Sequence, residues 1–116
     1  MSHRESKNSD STSEDQAAYY LRSQGFQILS RNNRQYGAEI DVICSHPAHL
    51  GDIYFVEVKK RKQTPKHFPL MAKRQIARYQ KAALSLQSQA DRFVTVRIFV
   101  LLINPPDAIR HFEVQT

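Results

Sequence analysis

The chain has 116 residues, 41% apolar and 24% charged, which suits one folded domain with a single core and excludes a disordered polyampholyte or a two-domain enzyme. Its formal net charge of +6 is uneven: Lys59 to Lys81 carries nine Lys or Arg and no acid, against eight basic and eleven acidic residues elsewhere. A positive field confined to one segment suits a polyanionic partner such as nucleic acid.

One cysteine, Cys44, excludes an internal disulfide and reads as a small buried residue of a reducing compartment. No apolar run is long enough to span a bilayer, and the first sixteen residues lack the apolar segment of a signal peptide. The expected location is the cytoplasm, with no membrane partner.

Residues 1–12 are polar, Ser-rich and aperiodic, so a disordered tail is expected ahead of a single domain over 13–116. A helix follows, with Ser13 as N-cap and Gln16 completing a capping box; Ala17, Tyr20 and Leu21 form its apolar stripe, and Gly25 stops it. Glu14 falls in the first turn, where it complements the helix dipole. Residues 26–32 alternate as a strand and 33–37 read as a turn. Two further strand runs, 38–44 and 53–60, are joined by an eight-residue loop containing Pro47 and Gly51. After an exposed basic loop with two prolines, residues 71–87 form an amphipathic helix: Ala72, Ile76, Tyr79, Ala83 and Leu86 line its apolar face, while Arg74, Arg78 and Lys81 lie on the opposite one. Residues 92–104 are apolar on both faces in their second half, as in a strand covered on two sides. Asn104 to Asp107 turn the chain into a last edge strand over 108–114. The order α-β-β-β-α-β-β gives an α/β fold: a mixed sheet of about five strands between helices.

The two middle strands carry acids where a plain core strand would not. A period of two sets Glu39, Asp41 and Ile43 on one face of the first, and Phe55, Glu57 and Lys59 on one face of the second. If these faces meet, carboxylates crowd beside a lysine, and a divalent cation is the natural counter-charge. Mg²⁺ needs only one or two carboxylates, with water and substrate phosphate completing an octahedron. Asp41 and Glu57 are the candidate pair, and Lys59 can orient the attacking water or offset charge in the transition state. Glu14 could add an outer ligand if the first helix ends near the sheet. The plainer alternative is a salt-bridged Glu57 and Lys59 on a half-exposed strand, with Asp41 and Glu39 punctuating an edge. His46 and His49 lack a Cys or further His to complete a zinc set. Lys60, Arg61, Lys62, Lys66, Lys73, Arg74, Arg78 and Lys81 make the candidate phosphate-contacting surface; its plainer alternative is a solvated helix face.

At these residues the chain resembles the YraN family of small bacterial proteins: Glu14 to Arg34 (EDQAAYYLRSQGFQILSRNNR), then GAEIDVI from Gly37 and FVEVKKR from Phe55. Ala38 replaces the family's Gly before Glu39, Ile40 stands where a proline would precede Asp41, and Val94 replaces an Asp after Arg92 and Phe93. The family is similar to the restriction-endonuclease-like PD-(D/E)xK nucleases, archaeal Holliday-junction resolvases in particular. That resemblance implies Asp41 and Glu57 as metal ligands, Lys59 as the catalytic lysine and Glu14 as the helix glutamate completing the metal site. Gln75 and Tyr79 echo a Gln-x-x-x-Tyr element of some nucleases of this fold. The expected function is therefore a Mg²⁺- or Mn²⁺-dependent endonuclease acting on branched DNA in recombination or repair, as a homodimer. The alternatives are an inactive nucleic-acid-binding or adaptor protein with the same fold, and a structural partner of a larger machine.

Overall fold

A computed structural model describes residues 2–62, 71–106 and 108–116, with side chains from Thr12 onward. The elements are α1 (Ser2–Ser23), β1 (Gln27–Asn33), β2 (Ile40–Ser45), β3 (Asp52–Lys60), α2 (Lys73–Gln89), β4 (Thr95–Asn104) and β5 (Ala108–Glu113). This is the expected order, and one five-stranded mixed sheet runs β1-β2-β3-β4-β5. The β3–β4 pair is parallel, because α2 carries the chain back across the sheet between them; the other pairs are antiparallel. No helix among the described residues is long and apolar enough to cross a membrane.

The helices cover opposite faces. Ala17 and Leu21 of α1 pack on Val42, Cys44, Tyr54, Val56, Leu101 and Ile103. Tyr79, Ala82 and Ala83 of α2 pack on Ile40, Ile43, Phe55, Ile98 and Val100. Along β4, Ile98 and Val100 face α2 while Leu101 and Ile103 face α1, so this strand is covered twice, as its apolar run predicts. Cys44 is fully buried, and burial pushes its thiol up to about 12, which suits an inert core residue.

α1 differs from expectation at its start and matches it at its end. The helix begins at Ser2, so the segment expected as a tail is helical in backbone and Ser13 lies inside the helix instead of capping it. No Gly or Pro interrupts residues 2 to 23, so nothing in the covalent chain forces a break at Ser13. At the other end Gly25 has φ +92°, Gly25 N–H donates to Arg22 O and Phe26 N–H to Leu21 O, a Schellman closure with the Phe26 and Leu21 side chains in one cluster.

The alternation predicted for β2 also fails at one residue. Ile40, expected on the face of Val42 and Cys44, packs with Ile43 and Phe55 on the α2 side. Pairing between β2 and β3 ends at Val42 and Val56, so beyond this point residues 40 and 41 are held on one side only, by β1 at Asn33.

Candidate active site

The site forms where β2 and β3 part. Continuing their register by one step sets Asp41 opposite Glu57, but the backbone ladder stops there and the Asp41 side chain substitutes for it: Val58 N–H donates to Asp41 Oδ2 at 2.8 Å. An aspartate at this point satisfies a strand donor that β2 no longer reaches. Glu57, on the α2 face of β3, is buried with 8% exposure. Its Oε2 accepts from the Tyr79 hydroxyl at 2.8 Å and from Gln75 Nε2 at 2.5 Å. Lys59, two residues on and on the same face, donates to Gln75 Oε1 at 3.4 Å and lies 3.9 Å from Glu57 Oε1. Gln75 therefore bridges the glutamate and the lysine.

Burial pushes the Asp41 carboxyl up to about 7; the Val58 N–H opposes this, and the charges of Glu57 and then Glu39 add to it. Tyr79 is raised above its ordinary range by burial first, then by the charges of Glu57 and Asp41, so its hydroxyl stays protonated and can only donate to a carboxylate.

Beside Asp41 lies an open cleft of about 410 Å³, lined by Ser13, Glu14, Asn32, Glu39, Val58, Lys60 and Arg61. Glu14 Oε2 is buried there without a hydrogen-bond partner, a costly state for a carboxylate oxygen unless a cation or donor reaches it. Glu39, at the mouth, is exposed and ion-paired with Arg34 at 3.1 Å. Two desolvated carboxylates and one orphaned carboxylate oxygen are a hard, oxygen-only donor set, which fits Mg²⁺ or Mn²⁺ held by Asp41 and Glu57 with water and substrate oxygens. No three His, Cys, Asp or Glu side chains among the described residues are gathered closely enough to hold a metal ion unaided, so Glu14 shares the cleft with Asp41 without closing a three-carboxylate set.

Of the candidate phosphate-contacting residues, Lys60, Arg61, Lys62, Lys73, Arg74, Arg78 and Lys81 are exposed, and none is ion-paired among the described residues. Lys66 lies outside the described residues. Arg61 is fixed in backbone by its N–H to Ile103 O and by Asn104 Nδ2 on its carbonyl, both at 2.9 Å. His46 spends both ring nitrogens on local backbone, Nε2 donating to Gln24 O and Nδ1 accepting from Ala48 N–H, which accounts for it without a metal. Sequence reasoning missed Asn32, which holds φ +50° on the cleft wall, and Asn104; a polar residue at a strand end was the only signal for either. It ranked Gln75 and Tyr79 below the acids, and the structure sets both on Glu57.

The model of "uncharacterised protein family UPF0102" matches residues 13–103. The chain belongs to the UPF0102 (YraN) family. Its similarity to two UPF0102 proteins extends over most of the chain. It is 34% identical over 97 residues to one from Lachnoclostridium phytofermentans, covering 84% of this chain and 70% of that protein. It is 35% identical over 101 residues to one from Pseudothermotoga lettingae, covering 86% and 91%. The UPF0102 match takes in Glu14, Asp41, Glu57, Lys59, Gln75 and Tyr79, so the whole constellation lies within the family's span.

Proposed function

We propose that this UPF0102 protein is a Mg²⁺- or Mn²⁺-dependent endonuclease that hydrolyses phosphodiesters of structured or branched DNA. The observation that carries the proposal is the meeting of Asp41 and Glu57 where β2 and β3 part, with Lys59 bridged to Glu57 through Gln75. The resemblance to PD-(D/E)xK nucleases supports the same assignment. A bound divalent cation would neutralise charge on the phosphoryl oxygens and acidify the attacking water.

The protein's own residues supply the rest. Exposed Lys60, Arg61, Arg74 and Arg78 draw the phosphate backbone toward the cleft. Lys59 Nζ, held by Gln75, hydrogen-bonds the attacking water and sets its line toward phosphorus. As the water oxygen bonds to phosphorus it releases a proton to solvent, the bond to the leaving sugar oxygen breaks, and that oxygen takes a proton from solvent in the open cleft. A symmetric cut in a four-way junction requires two such sites, hence a homodimer.

Labelled four-way junction and linear duplex incubated with Mg²⁺ test this, alongside Asp41→Ala and Glu57→Ala. Cleavage of the junction by wild type, lost in both variants, is the expected result. If wild type cuts neither substrate while binding DNA in a salt-sensitive way independent of Asp41, the protein is an inactive nucleic-acid-binding or adaptor member of the fold.

A further inference from the structure

Resting on that reading, the contacts of α2 bear on how Glu57 presents its charge. A carboxylate has two oxygens, and the two of Glu57 are treated differently. Oε2 accepts both the Tyr79 hydroxyl and the Gln75 amide, at 2.8 and 2.5 Å, which fills its lone-pair directions. Oε1 has the Lys59 ammonium at 3.9 Å, beyond hydrogen-bond distance, and the Asp41 carboxyl lies beside the same carboxylate. Glu57 therefore has one oxygen to give. Both donors lie one turn apart on α2, and Tyr79 is locked by burial against Phe55, so the glutamate cannot rotate to offer both oxygens without losing two hydrogen bonds. Small octahedral cations take one oxygen from each carboxylate at strict angles, whereas Ca²⁺ readily takes two and tolerates irregular geometry.

We propose that Gln75 and Tyr79 are positioning residues that restrict Glu57 to a single ligating oxygen and so set a preference for Mg²⁺ and Mn²⁺ over Ca²⁺. Gln75 does a second thing from the same place, since its amide oxygen receives Lys59 and its orientation thus fixes ligand and lysine together.

The test is Mn²⁺ binding followed by electron paramagnetic resonance, with Mg²⁺ and Ca²⁺ as competitors, on full-length wild type, Tyr79→Phe, Gln75→Met and the double variant. Tyr79→Phe keeps the buried ring and Gln75→Met keeps the side-chain length, and thermal unfolding checks that each folds. In the double variant, Mg²⁺ competition should weaken about tenfold, the scale on which supporting contacts tune a metal site. Ca²⁺ competition should hold or strengthen, so the Ca²⁺ to Mg²⁺ affinity ratio rises at least about tenfold. A parallel fall for both cations, or an unchanged ratio, would overturn the proposal while leaving the nuclease reading intact. If wild type binds no Mn²⁺, or Glu57→Gln binds it as well as wild type does, the metal-dependent reading falls and this inference with it.

Discussion

Asp41→Asn removes a negative charge from beside Glu57 while keeping a side-chain oxygen able to accept from Val58 N–H. Burial holds the Asp41 carboxyl at about 7 in the folded protein against an ordinary 3.8, so folding disfavours the charged form. At about 1.4 kcal/mol per pH unit the shift corresponds to roughly 4 kcal/mol. The carboxyl borders an open cleft, and screening by that water reduces the figure to roughly 2 kcal/mol. Because the folded value lies above the unfolded one, the wild-type contribution is fully present below pH 3.8 and is lost as pH rises through about 7. Urea unfolding of both proteins in EDTA at pH 4 and pH 8 measures the difference. The variant should exceed wild type by roughly 2 kcal/mol at pH 8 and by less than about 0.5 kcal/mol at pH 4. Added MgCl₂ at pH 8 should then stabilise wild type and leave the variant unchanged. A wild type as stable as the variant at pH 8 would refute the claim that this carboxylate is held at a cost.

Three other perturbations follow from the same geometry. Replacing Lys60, Arg61 and Arg74 together by Ala should weaken DNA binding and flatten the log-affinity against log-salt slope by about 0.9 for each lost phosphate contact; anisotropy titrations at several salt concentrations that leave the slope unchanged would remove this face from the DNA path. Gly25→Ala places a Cβ 2.8 Å from His46 Nε2 at a backbone with φ +92°. A loss of about 2 kcal/mol is expected in denaturant unfolding, and a neutral result would mean that the turn and His46 relax freely. Phe55→Ala empties a fully buried site between Tyr79 and the sheet; it should cost about 3 to 5 kcal/mol, read as a fall in Tm, and a loss below about 1 kcal/mol would contradict the packing described.

Much of this protein is legible in local pattern. Gly25 announced the end of α1 because only glycine accepts the left-handed backbone that closes a Schellman turn without strain. The apolar stripe of residues 71–87 and the doubly apolar run before Asn104 state which side chains avoid water, which is enough to recover two helices and five strands in their observed order. Acids in the two middle strands stood out because a core strand has no use for them. Local pattern failed at two points: Ser13 carries the chemistry of a cap but the helix runs through it, and Ile40 changes face where the β2–β3 ladder ends.

By itself the sequence determined the α/β class, the acids and lysine available to a site, and the confinement of positive charge to one segment, because periodicity, turn chemistry and charge are properties of neighbours along the chain. Only the tertiary structure decided which of these groups meet. Gln75 and Tyr79 reach Glu57 because the crossover between β3 and β4 lays α2 over that carboxylate. Asp41 takes the Val58 N–H because two strands separate at that residue. Glu14 shares the Asp41 cleft because α1 lies across the opposite face, ending its buried carboxylate oxygen beside strands distant in sequence. Register and helix placement follow from the packing of the whole core, and no window of local sequence contains it.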